Sequence, residues 1–476
     1  VVLDVIDQLG KDFAASLSIQ TWESVLKIVL GICDHLFRLP EVESPLATAL
    51  CPSLFRVTMG LWVRSTTQSS EMWDIFKTLL QHWRHRKPVI SQWIAACTSF
   101  THAILSLLYV FPAPKATILF QHMNVAETVQ LEQGLVFFFW FRLLHLAGDL
   151  DTIESPEIYH EAMNGVHHLA KLFYFNVDIK NAKLLPPDGN GILHIFAPFL
   201  CDAVNIYRAG YDEGRAEALH TLLQICTHKP NTDFDPTYLA CLYRAIQKGV
   251  ANSNLILDIV LRTSERLFTN NFKGIRLLIP TYWWSIKRAL VDPGLAKLDK
   301  LVTPREDLRH CCYRLASYLL SFANIYKSQT FAEVCPGSDL FDAAPTTKFS
   351  ELLSLRSVLL SCLLTETTQA NLILLINVIF NSVWEDPTSI PDFPTKLVKE
   401  TLNPDKRKTW TPEVNSALLQ AWTDLAQLYP TISATNPTLG DDLMSHLTDM
   451  LDELFRQKTE PTATQDLVIL CCHQPH

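Results

Sequence analysis

Residues 188–226 carry the strongest constraint on what this chain can become. Asp188, Gly189, Asn190 and Gly191 form a turn that leads straight into the apolar run Ile192 to Val204. A second turn around Gly210 opens another such run, through Asp212, Glu213, Gly214, Arg215 and Ala216 to Cys226. Two apolar helices opened by Gly-rich turns and separated by a few residues can lie side by side as an αα-hairpin.

The chain on either side repeats this plan. After Thr21, read as a helix N-cap, Trp22, Val25, Leu26, Val29, Leu30, Cys33 and Leu36 recur at spacings of three and four, giving one apolar stripe that Pro40 ends. Ser44-Pro45 opens the next helix, and Met72 to Trp83 keeps the same period. Pro88 opens a helix to about Val110, because its missing N–H would be unsatisfied there anyway. Glu127 to Leu146 reads as a further helix, apolar nearly all round at Phe137–His145 and therefore expected to be central. Strand alternation is not apparent, and Asn190-Gly191 has helix rather than β-branched runs on its flanks. The expected fold is all-α, an irregular α-solenoid of HEAT-like or armadillo-like helical hairpins. The expected divisions are 1–180, an N-terminal helical array; 181–385, a central array; 386–410, a Pro-rich linker; and 411–476, C-terminal helices. Both chain ends read as cut from something longer.

Composition narrows function more than fold. Hydrophobic residues make up 48% and charged residues 19%, a balance that leans towards assembly. A net charge of -9, with Lys406-Arg407-Lys408 as the longest basic cluster, argues against a nucleic-acid partner. The apolar runs ending at Arg142 and Asn377 fall short of the roughly 20 residues that span a bilayer. Twelve cysteines without a CxxC, with Cys33, Cys97, Cys201, Cys226, Cys241 and Cys362 among aliphatic residues, read as buried thiols in a reducing, cytoplasmic setting.

His167-His168 and the pair His82/His85 are the densest histidines, but neighbours on a helix diverge by about 100°, and no carboxylate or cysteine completes a metal set in sequence. Arg142 and His145 could place an arginine in a groove, although a buried Arg tied to a carboxylate or to carbonyls is the favoured reading. Asp212 and Glu213 suit the first turn of a helix, with Arg215 reaching a neighbouring one. Gly189-Asn190-Gly191 lacks the Lys-Ser/Thr of a phosphate loop. Tyr282, Trp283 and Trp284 could serve a partner surface, with at least one Trp expected in the core. No catalytic, cofactor-binding or metal-binding residue is assigned.

Several stretches in order resemble the N-terminal helical region of the Ral GTPase-activating complex, its β subunit most closely. They are Trp83–Trp93, Trp140–His145, Gly191–Phe196 with Asp202 and Ala203, Tyr211–Ala218, Lys273–Ile275 with Pro280, and Leu363–Thr367. The resemblance spans Trp22 to Val383. It implies a regulatory scaffold in a heterodimeric activator of Ral-type small GTPases, related more distantly to tuberin. Its partners would be the catalytic α subunit and Ral-type or Ras-like GTPases, the catalytic domain lying C-terminally and being active on the α subunit. Connections before Gly189 and Tyr211 are shorter than the family pattern implies. The alternatives are a general HEAT-like adaptor in transport or trafficking and a helical enzyme with an unrecognised site.

Overall fold

In a computed structural model of the protein, the structure describes residues 2–14, 16–40, 44–110, 113–122, 125–175, 187–227, 233–270, 272–291, 305–334, 346–385, 396–397, 401 and 409–435, with scattered positions to 452. The division expected at 180/181 and most of the linker expected at 386–410, Lys406–Lys408 included, lie outside the described residues, as does much of the stretch 411–476 beyond 435. Two compact units, Val1–Ala245 and Ile246–His476, divide the chain.

The first unit contains α1 (Val2–Asp12), α2 (Ile19–Phe37), α3 (Pro45–Ser65), α4 (Ser70–Trp83), α5 (Lys87–Leu105), α6 (Gln133–Leu144), α7 (Pro156–Phe175), α8 (Gly189–Ala203) and α9 (Asp212–Thr227). Helices alternate between two layers: α1, α3, α5, α7 and α9 each pack on the next of that series, while α2 packs on α3 and α4, and α8 on α7 and α9. This is the arrangement of stacked helical hairpins. Its core is rich in aromatic rings, such as Trp62 with Trp73 at 5.3 Å and with Phe76 at 4.6 Å. Asp7, only 5% exposed, ties α1 to α3 through Arg56 at 3.2 Å and Arg64 at 3.5 Å. By length and composition α3 is apolar enough to cross a membrane. Leu54, Phe55, Val57, Leu61 and Trp62 are buried within the unit, as suits a core helix.

The expectation of an all-helical chain needs one correction. Lys115–His122 (β1) and Val125–Glu132 (β2) form an antiparallel hairpin in the register Ala116↔Leu131 and Ile118↔Val129. Ala116, Ile118, Phe120 and Leu131 are buried while Lys115, Thr117, Thr128 and Gln130 are exposed, a period-two pattern that a helix cannot serve. The helix expected from Glu127 therefore begins at Gln133. Nor is it central: Val136, Phe139, Leu143 and Leu144 are buried, but Phe141 is 60% exposed. At α2 the cap is Ser18, not Thr21; its Oγ accepts from the Thr21 N–H at 3.2 Å.

Helix α10 (Pro236–Asn252) runs across the division. The second unit continues with α11 (Asn254–Thr263), α12 (Glu265–Thr269), α13 (Ile279–Val291), α14 (Arg305–Tyr326), α15 (Phe331–Val334), α16 (Leu355–Thr365), α17 (Gln369–Glu385), α18 (Pro412–Ala426) and α19 (Tyr429–Thr435). Here α13 packs on α14 and α16, α14 on α17, and α17 on α18, where Phe380 meets Trp422 edge-on at 5.0 Å.

Candidate functional site

The turn and hairpin at 188–226 build a polar edge where α7 meets α9. Asp188 Oδ1 accepts from the Gly191 N–H at 2.9 Å and so caps α8. Gly210 takes φ +86, a left-handed conformation that turns the chain into α9. Tyr211 then donates its hydroxyl to the carbonyls of Ile153 at 2.8 Å and Glu154 at 2.5 Å, holding the start of α9 beside the start of α7. Gly214 lies against the buried Tyr159 ring, where a Cβ would come within 2.3 Å. The missing side chain at Gly214 thus lets α9 approach α7 closely.

That approach aligns a ladder of polar side chains. His160 lies 3.5 Å from Glu213, and Tyr174 donates to Gln224 at 3.0 Å. Between them, His167 Nδ1 sits 3.1 Å from Glu217 Oε1 and 3.0 Å from Thr221 Oγ1, while His220 Nδ1 is 3.6 Å from the same carboxylate oxygen. The two imidazoles stack at 5.1 Å with 17° between their planes, and His220 Nε2 meets the Gln224 amide at 2.8 Å. The side chains of His167, Glu217 and His220 are 16%, 19% and 26% exposed. Burial lowers the His167 pKa, opposed by Glu217 and assisted by His220, Lys171 and His168. Burial would raise that of Glu217, but the His220 hydrogen bond and the nearby histidines outweigh it, so the carboxyl ionises below its ordinary range. These three residues bring a ligand atom each within 4.8 Å of one another. Adjacent His168 is exposed, diverging from His167 as expected, but a carboxylate that no neighbour in sequence supplied does reach His167. The true partners lie 50 residues on, at the i, i+3 positions of α9.

The other sequence candidates resolve into structural roles. Arg142 is not tied to a carboxylate as expected; it is half-buried with its guanidinium 5.5 Å over the Phe138 ring. His145 lies between Phe141 at 4.8 Å and Phe199 at 5.3 Å, and burial lowers its pKa. Asp212 and Glu213 do occupy the first turn of α9, but Arg215 pairs with Asp212 of its own helix at 2.9 Å and stacks 4.3 Å over Tyr207. Tyr282 is core and donates to Ser264 at 2.5 Å, whereas Trp284 is 46% exposed beside Arg288. The described cysteines are free thiols. Cys201 and Cys241 are half-buried rather than buried, and their thiols share a hydrogen bond that lowers the pKa of Cys201 and raises that of Cys241.

The stretches that carry the family resemblance are interlocks. In Trp83–Trp93, Trp83 donates to Asp34 at 3.0 Å, and His85 touches the carbonyls of His82 and Leu39 at 2.8 and 3.2 Å. Arg84 reaches the carbonyls of Ala147 at 3.3 Å and Asp149 at 2.8 Å, Lys87 reaches Glu157 at 3.1 Å, and Trp93 donates to the Leu143 carbonyl at 2.7 Å. Arg86 is fully buried and donates to the carbonyls of Phe37, Leu39 and Pro40 at 3.0, 2.5 and 3.2 Å, closing the C-terminal end of α2. In Leu363–Thr367, Glu366 has a fully buried carboxylate held by Arg309 at 2.8 and 2.9 Å, by Tyr313 at 3.0 Å, and by the N–H groups of Thr367 and Thr368. One stretch thus locks α2 to α5 and the other locks α14 to the start of α17.

A family model described as the RALGAPB N-terminal domain matches residues 1–110. The chain is 26% identical over 502 residues to a Rap-GAP domain-containing protein of Dictyostelium discoideum, covering 97% of this chain and 29% of that protein. It is 21% identical over 561 residues to the human Ral GTPase-activating protein subunit beta, covering 80% and 37%. With the rat Ral GTPase-activating protein subunit alpha-2 it shares 24% over 227 residues, covering 44% and 11%. This chain therefore spans less than two-fifths of the length of these relatives. A circular tandem repeat protein of known structure aligns with 99% of the chain and 94% of its own at 10% identity and a TM-score of 0.30. The likeness is to the N-terminal region of the beta subunit, as the ordered stretches imply.

Proposed function

We propose that this chain is a non-catalytic, regulatory portion of a cytoplasmic complex that activates Ral-type small GTPases. The observation that carries the reading is the match of residues 1–110 to the beta-subunit N-terminal domain, continued by a likeness to the human beta subunit over 80% of the chain. The interlocks support it. Trp83, Arg84, Arg86, Trp93, Tyr211, Gly214 and Glu366 hold helix to helix, as a scaffold of stacked helices requires.

In this reading the layered helices hold a catalytic α subunit, and a group supplied from outside this chain stabilises charge on the transferring phosphoryl group. No residue of this chain is given a catalytic role. The general-adaptor alternative draws on the helical fold alone and does not account for the ordered family stretches. Single-turnover GTP hydrolysis by Ral, measured with the chain alone and then with the α subunit added, tests the proposal. Hydrolysis at the intrinsic rate with the chain alone is expected. Acceleration by the chain alone would overturn the non-catalytic assignment.

A further inference from the structure

We infer that His167, Glu217 and His220 form a binding site for a divalent transition metal, Zn2+ by its donor set, on the polar edge between α7 and α9. Two imidazole nitrogens and one carboxylate oxygen are the ligands Zn2+ takes in three-residue sites that leave a fourth position to water. Mg2+ and Ca2+ prefer all-oxygen shells, so the two imidazoles select against them. The helices supply the set economically. Glu217 and His220 stand at i, i+3 and share one face of α9, the Glu-x-x-His spacing by which helical bundles build metal sites, and His167 faces them from α7.

Both distances from the carboxylate to the imidazoles suit the ion. Bonds of about 2.0–2.1 Å at tetrahedral angles place ligand atoms roughly 3.3 Å apart. The separations of 3.1 Å and 3.6 Å from Glu217 Oε1 to the two Nδ1 atoms bracket that value, and all three ligand atoms fall within 4.8 Å. One outer contact is near at hand: the Gln224 side-chain nitrogen stands 2.8 Å from His220 Nε2, and turning that amide over, away from the Tyr174 hydroxyl that its oxygen now meets at 3.0 Å, gives an Nδ1-bound His220 its acceptor. Side chains 16–26% exposed leave an entry path from solvent. The bound ion clips α9 to α7 beside the Gly214–Tyr159 contact.

Without an ion the same three side chains would form a carboxylate accepting from two imidazoles, and titration calorimetry with ZnCl2 on the chelator-stripped chain separates the two. One Zn2+ per chain is expected. H167A, E217Q and H220A should each weaken binding by more than the roughly 10–100-fold that outer-shell changes cost. H168A, altering the exposed neighbour outside the cluster, should bind as wild type. Co2+ in place of Zn2+ should give visible absorption of a nitrogen/oxygen site without thiolate charge-transfer bands. E217Q keeps the volume of Glu217, and circular dichroism on every variant separates lost binding from lost folding. Absence of Zn2+ uptake, uptake that survives the H167A/H220A double variant, or thiolate bands would each overturn the site.

Discussion

Replacing Arg86 with Met tests the idea that the Trp83–Trp93 stretch is a structural lock. Arg86 is fully buried, and its guanidinium donates to Phe37 O at 3.0 Å, Leu39 O at 2.5 Å, Pro40 O at 3.2 Å, Ser44 O at 3.5 Å and Thr48 Oγ1 at 2.9 Å. Met fills much of the volume and donates nothing. Hydrogen bonds from a charged donor contribute about 1.5–3 kcal/mol each, yet water can replace those to the part-buried acceptors. The Phe37 carbonyl is buried and would be left bare, costing about 1–3 kcal/mol. Loss of favourable charge at the end of α2 adds about 0.3–1 kcal/mol. Taken with partial loss of the remaining bonds, the sum is about 4 kcal/mol, or nearly three decades at 1.4 kcal/mol per decade. A chain of two units need not unfold in one step, so the assay is hydrogen exchange read by mass spectrometry on peptides covering 30–40 and 44–50. R86M should accelerate exchange there by roughly 100–1000-fold, limited by the intrinsic rate. R84M, whose bonds to Asp149 and Thr152 are exposed, should change it by less than about tenfold. Exchange in R86M within threefold of wild type would refute the reasoning.

Two further predictions use the other locks. Burial would raise the Glu366 pKa, but the Arg309 hydrogen bonds and the N–H groups of Thr368 and Thr367 reverse this, so the carboxyl titrates below its ordinary range. A carboxyl depressed by folding stabilises above its unfolded pKa, about 4.3, and that stability is lost as pH falls through the folded value. E366Q should cost about 2–4 kcal/mol at pH 7 and flatten the acid limb of a denaturation series on the second unit's peptides; an unchanged acid limb would contradict this. Gly214→Ala places a Cβ 2.3 Å from a Tyr159 ring that is fully buried and anchored to the Ala203 carbonyl. It should lower the thermal midpoint by roughly 2–10 °C, whereas Gly31→Ala, with nothing within 4 Å, should leave it unchanged or raise it.

The helical stack was legible because its signals are local. Pro45, Pro88 and Asp188 open helices where their backbone chemistry predicts, and the three-and-four spacing from Trp22 to Cys33 marks the buried side of α2. The β-hairpin escaped that reading. Thr128-Val129-Gln130-Leu131-Glu132 does alternate, but it runs without a break into the apolar α6, whose helical period masks the change. The cap of α2 moved three residues because Ser18 and Thr21 are both competent and only geometry distinguishes them. The His167, Glu217 and His220 cluster was hidden for a different reason. Its members are 50 and 53 positions apart, and the close approach that Gly214 permits, rather than adjacency to His168, brings them together. Glu217-x-x-His220 was the one local trace of it.

The central claim is that this chain is a scaffold within a Ral GTPase-activating complex. Co-expression with the catalytic α subunit, followed by size-exclusion chromatography with light scattering, tests it most directly. A single species whose mass is the sum of the two chains is expected. Two separate peaks, each at the mass of one chain, would contradict it.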